Sequence, residues 1–157
     1  MIPGAFTYHR PDSVDAAVGL LSEWGDDARV IAGGHSLIPV MKQRITDISH
    51  LVDLAGVASL KGISIDGGRI TIGAMTTHAT VAGSADVRSK IPALAELADG
   101  IGDPQVRNRG TIGGSIANND PAADYPSACV GLGATIVTDQ REITADDFFV
   151  GMFETAL

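Results

Sequence analysis

Arg29-Val30-Ile31-Ala32-Gly33-Gly34-His35-Ser36-Leu37-Ile38-Pro39 sets a short apolar, partly β-branched run directly against two glycines, followed by a proline suited to the first turn of a helix. The glycine pair therefore joins a strand to a helix. At such a joint the backbone NH groups and the positive end of the helix dipole face outward, so a phosphate fits there. A tight strand-to-helix turn that binds nothing is the alternative reading. A single glycine pair does not separate the two.

Upstream, Phe6-Thr7-Tyr8-His9 alternates like a short strand, and Pro11-Asp12-Ser13 supplies a turn with capping oxygens. Val14, Ala17, Val18 and Leu21 then follow helical spacing up to Gly25, which completes a β-α unit. Downstream, His50-Leu51-Val52-Asp53 reads as a strand, and Leu60 to Ile65 with Arg69 to Ile72 form a hairpin around Asp66-Gly67-Gly68. Thr76 or Thr77 caps a helix through Val81, and Pro92 to Ala98 has helical composition. Asp124 is placed as the cap of a helix from Tyr125 to Leu132, ended by Gly133. Thr135 to Thr138 and Arg141 to Thr144 make a closing hairpin. The class is α+β, with mixed and antiparallel sheets.

The length suits one domain with a real core. A formal net charge of -8 argues against nucleic acid, whose phosphates are normally met by clustered Lys and Arg. The single cysteine, Cys129, excludes an internal disulfide and a thiolate-held cluster, so any metal chemistry lies on another chain. The N-terminus lacks a secretory pattern and no apolar run reaches the length of a membrane span, so the expected location is the cytoplasm. Nineteen glycines make up about 12% of the chain against a usual share of roughly 7%, which calls for close backbone approach or positive φ somewhere.

A second glycine pair lies in Thr111-Ile112-Gly113-Gly114-Ser115-Ile116-Ala117-Asn118-Asn119-Asp120, with polar tips at Ser115, Asn118 and Asn119. Two such loops are able to grip one pyrophosphate. The turn-only reading stays open beside this one. Neither loop matches the Rossmann fingerprint or the Lys-bearing P-loop.

The stretch from Ala32 to Lys42 and the run from Ile101 to Pro126, which includes Gln105-Val106-Arg107-Asn108-Arg109-Gly110-Thr111-Ile112-Gly113-Gly114, resemble the signatures of the FAD-binding medium subunits of molybdenum hydroxylases, of the carbon monoxide dehydrogenase flavoprotein type. The likeness extends to Phe6-Thr7-Tyr8 and to Asp147-Phe148-Phe149-Val150-Gly151, and so covers nearly the whole chain. It implies a two-lobed FAD-binding domain of the p-cresol methylhydroxylase/molybdenum-hydroxylase flavoprotein type, with lobes at about 1–55 and 56–157 and without the family's C-terminal domain. FAD would lie noncovalently between the lobes. Its pyrophosphate would meet the backbone of Gly33, Gly34, His35, Ser36, Gly113, Gly114 and Ser115, with Ala32, Leu37 and Ile112 inside the same motifs. Thr111, Asn118 and Asp124 would line the ribityl side, and Ile101 would stand near the isoalloxazine. The partners implied are a 2Fe-2S small subunit and a molybdenum-binding large subunit, which carry the 2Fe-2S clusters and the molybdenum cofactor. Asp124 also reads as a plain helix cap, and Ile101 as plain core.

No residue is assigned as a catalytic acid or base, and none as a metal ligand. Two rival classes are a self-contained oxidase with FAD bonded covalently, which His35 brings to mind, and a non-catalytic assembly module. His9, His50 and His78 lack metal-ligand spacing and are read as surface or strand-end residues. Cys129 reads as a buried small hydrophobe, while Arg107 and Arg109 have no assigned role. Phe148, Phe149, Met152, Phe153 and Leu157 are expected to crowd apolar surface near the chain's end.

Overall fold

Ser13 accepts a hydrogen bond from the Ala16 amide, 3.3 Å, and so starts helix α1 (Val14–Trp24) just after strand β1 (Thr7–His9). The computed structural model describes residues 2–157. Gly25, with φ +47°, turns the chain out of α1 into β2 (Ala28–Ile31); α2 (Leu37–Gln43) and β3 (His50–Asp53) complete the unit. The three strands run parallel in the order β1-β3-β2. Two right-handed crossovers that step in opposite directions across a sheet put their helices on opposite faces. Trp24 of α1 stacks on His50, with ring centroids 4.0 Å apart, on one face. On the other, Met41 and Leu37 of α2 pack with Leu51 and Ile31. His9 and His50 join edge to edge beside Trp24, with 3.1 Å between Nε2 and Nδ1. Both are strand-end residues, as the sequence suggested, His9 last in β1 and His50 first in β3, and they lie in a stacked cluster with Trp24.

The later strands do not join this sheet. β4 (Ile63–Asp66) and β5 (Arg69–Ile72) form one antiparallel hairpin, and β6 (Thr135–Val137) and β7 (Glu142–Thr144) another. A third antiparallel pair, β8 (Phe149–Gly151) with β9 (Glu154–Thr155), closes the chain. The expected mixed sheet is therefore a purely parallel sheet beside separate hairpins. Each hairpin pairs with itself: the two-residue turn at Gly67-Gly68, both at positive φ, sets β4 against β5 and satisfies these strands locally.

Between the hairpins lie α3 (His78–Gly83), α4 (Ala85–Lys90), α5 (Pro92–Gly100), α6 (Pro104–Arg109), α7 (Ile112–Asn118) and α8 (Asp124–Gly131), with the short α9 (Ala145–Phe148) after β7. Val81, Ala82, Val87, Leu94, Ala95, Ala98, Ile112 and Tyr125 form their common core, separate from the cluster under the parallel sheet. Helix α6 lies in the glycine-rich stretch between Gly100 and Gly114. Asp103 caps it by accepting from the Gln105 and Val106 amides, and Pro104 occupies its first turn, a start signal that the sequence did carry. Asp124 is not the cap of α8: that position belongs to Ala123, and Asp124 is the first helical residue, where its charge faces the positive end of the dipole. Phe148 also departs from expectation, since it is buried against Phe149 in an edge-to-face pair instead of adding to the exposed surface.

Candidate functional site

The β2-to-α2 loop leaves the carboxyl end of a parallel strand, the side on which open α/β sheets bind ligands. Among the described residues, no acceptor in the chain takes the amides of Gly33, Gly34, His35, Ser36 or Leu37, and the Ser36 hydroxyl makes no cap bond. Gly34, at φ +77°, curls the chain so that the Ile38 amide reaches the Gly34 carbonyl at 2.9 Å, while His35 and Ser36 stay exposed. Five consecutive amides next to a helix start are thus left without an acceptor among the described residues, the kind of arrangement that can receive an anion.

The second pair is built differently from the first. Gly113 and Gly114 lie inside the first turn of α7, and their amides are already engaged: Gly113 donates to the Ala74 carbonyl at 2.8 Å and Gly114 to the Thr111 hydroxyl at 3.1 Å. The Ser115 amide donates to the Thr111 carbonyl at 3.0 Å. The expectation that the second loop repeats the first is corrected on this point. Its glycines are required for packing. A Cβ at Gly113 would lie 2.5 Å from that of Ala74, and one at Gly114 would lie 2.8 Å from the Thr111 hydroxyl and 3.5 Å from the Ala32 Cβ. A Cβ at Gly33 would lie 2.3 Å from the Arg109 carbonyl oxygen. The fold thus brings the two glycine motifs into direct contact, Gly33 on Arg109-Gly110 and Ala32 beside Gly114.

Of the other residues singled out, Thr111 is buried and Ile112 belongs to the core. Ile101 packs against the same core while half-exposed. Ser115 and Asn118 are half-buried on α7, and Asp124 is exposed. Asn119 is withdrawn from ligand contact: at φ +44° it donates its side-chain amide to the Gly151 and Glu154 carbonyls, 2.7 and 3.0 Å, which ties the last hairpin to α7. Arg107 donates to the Ile101 and Gly102 carbonyls, 3.1 and 3.0 Å, and closes the end of α5. Cys129 is buried, which raises its thiol pKa. His78 is buried at the start of α3 and not at the surface. Burial, aided by the nearby His35, pushes its imidazole below the usual histidine range. Nothing in the spacing of His78 signalled this. Among the described residues, no group of three or more His, Cys, Asp or Glu could hold a metal ion, and no helix is long and apolar enough to cross a membrane.

Residues 4–157 match the family described as the FAD binding domain in molybdopterin dehydrogenase. The carbon monoxide dehydrogenase medium chain of Hydrogenophaga pseudoflava is 45% identical over 100% of this chain and 56% of its own length. The nicotine 6-hydroxylase medium subunit of Paenarthrobacter nicotinovorans is 40% identical over 98% of this chain and 55% of its own. The chain therefore spans a little over half the length of the relatives it matches. Among solved structures, carbon monoxide dehydrogenase from Hydrogenophaga pseudoflava superposes with a TM-score of 0.97 at 46% identity, covering 100% of this chain and 56% of that one. Quinoline 2-oxidoreductase from Pseudomonas putida 86 does so with 0.95 at 37%, with the same coverage. Fold and a likeness that runs through the whole of this chain agree: the chain belongs to the family of FAD-binding domains of molybdopterin dehydrogenases.

Proposed function

We propose that this chain holds FAD noncovalently across the two glycine motifs and acts within the flavin subunit of a multi-subunit molybdenum hydroxylase. Electrons would come from a 2Fe-2S small subunit, reduced by a molybdenum-binding large subunit, and leave to an external acceptor. The observation that carries the reading is the run of amides from Gly33 to Leu37 that have no acceptor among the described residues, seated on Arg109-Gly110. Two phosphates carry several acceptor oxygens, and five NH groups with the Ser36 hydroxyl match that demand. The second motif contributes side chains rather than amides: Ser115 and Asn118 as donors, and Thr111, whose hydroxyl already accepts from Gly114 and keeps its proton to give. Ala32, Gly113 and Gly114 provide closeness. Ile101 and Ile112 form an apolar floor, and Asp124 stands at the rim.

The two hydrophobic clusters support a division into lobes at about 1–55 and 56–157, with the flavin site at their seam. FAD supplies the redox chemistry when bound, and the chain's own residues bind, orient and exclude water. We assign no acid, base or metal ligand in this chain. The lone buried cysteine fits a reducing, cytoplasmic setting with the clusters on the partner chains. The reading is tested on the native complex by flavin absorbance near ~450 nm together with iron and molybdenum analysis, and by the rise in melting temperature that linkage requires when FAD is added. Flavin that stays with the acid precipitate would favour the covalent oxidase. Absent flavin and an unmoved melting temperature would favour the assembly module.

A further inference from the structure

We propose that His78 is a positioning residue of the flavin site, one that sets the height of Gly110 beneath the anion loop without touching the anion itself. The proposal rests on the flavin reading above. Three contacts in series carry it. The His78 ring lies against the Tyr125 ring, centroids 5.3 Å apart and planes tilted by 39°. The ring edge also occupies the space next to Gly110, where an added Cβ would be 2.5 Å from Nε2, and the His78 amide donates to the Gly110 carbonyl at 3.0 Å. Gly33 then presses on the Arg109 carbonyl and on the Gly110 Cα, which an added Cβ would approach to 2.8 Å. Tyr125, His78, Gly110 and Gly33 thus form one packed column ending at the first free amide of the loop.

A packing role alone does not call for a histidine. His78 and Tyr125 are both buried, and among the described residues His78 Nδ1 and the Tyr125 hydroxyl have no hydrogen-bond partner. Unpaired buried polar atoms cost stability, and an aliphatic side chain of similar volume would avoid the cost. A planar ring, however, slides under a glycine that a branched side chain would displace. The desolvated, neutral imidazole also adds no charge behind the loop.

The test compares FAD affinity and unfolding midpoint in the full chain for wild type, His78→Leu and His78→Gln. His78→Leu should weaken FAD roughly tenfold while the midpoint without FAD holds or rises, and His78→Gln, which keeps a slim polar end at the reach of Nε2, should recover most of the affinity. Should His78→Leu fail to fold, Gly110→Ala, whose Cβ would press on the edge of the same ring, has to show the same loss. Wild-type affinity in these variants, with wild type itself binding FAD, overturns the positioning role and leaves the flavin reading standing. If wild type binds no FAD, both are overturned.

Discussion

The carbonyl oxygen of Arg109 stands where Gly33 would carry its Cβ, 2.3 Å from the ideal position. Two motifs 76 residues apart are therefore fitted backbone to backbone, and the anion loop has a rigid seat only while position 33 has no side chain.

Gly33→Ala should separate these two backbones. We expect flavin content to fall at least about tenfold and stability to drop by about 1–3 kcal/mol, as for overpacked sites. Gly19→Ala is the opposite case: Gly19 lies inside α1 with nothing among the described residues within 4 Å of an added Cβ, and alanine there should stabilise by roughly 0.5–1 kcal/mol. Flavin-to-protein ratios and urea midpoints check both, and equal midpoints for the two variants would sink the packing argument.

Asn119 holds the last hairpin through two carbonyls from a left-handed backbone. Asn119→Ala loses both bonds and adopts φ > 0 at a cost, so it should destabilise by about 2–4 kcal/mol. Asn119→Gly, free of the backbone cost, should fall in between. Limited proteolysis near 149–155 should quicken in the same order.

His78 makes stability depend on pH with a definite sign. Its folded pKa lies below the unfolded value because burial disfavours the cation, so the unfolded chain binds the proton more readily. The contribution is complete above the unfolded value of about 6.5 and is lost as pH falls below it toward the folded pKa. Urea midpoints from pH 8 to 5 should decline more steeply for wild type than for His78→Gln. Parallel curves would contradict this.

Cys129 is shielded on α8 and its thiol pKa is raised, so the reactive thiolate is scarce and covered. A thiol reagent at pH 8 should label the native chain far more slowly than the urea-unfolded one. Equal rates would show that α8 opens freely.

Local patterns made much of the architecture legible. Helical spacing after Ser13, the Asp66-Gly67-Gly68 turn and the proline at the start of α5 each act within a few residues, and the structure reproduces them. Asp103-Pro104 carried a start signal for α6 as well, masked by the glycines around it. The Gly-Gly joint after β2 and its direction into a helix were readable because strand, turn and helix are neighbours in the chain. The likeness of the two motifs was readable too, but not their different construction. Whether an amide is free depends on where a distant carbonyl lies: Ala74 takes the Gly113 amide, and among the described residues nothing takes those from Gly33 to Leu37.

The sequence by itself determined the α+β class, the two glycine motifs and the family, since these rest on residue types and short spacings. Only the tertiary structure decided which glycines present donors and which pack, that Asn119 serves the last hairpin, and that His78 is buried beneath Gly110. Hydrogen-bond satisfaction and close packing are properties of groups that meet across the fold, and spacing along the chain does not encode which groups will meet.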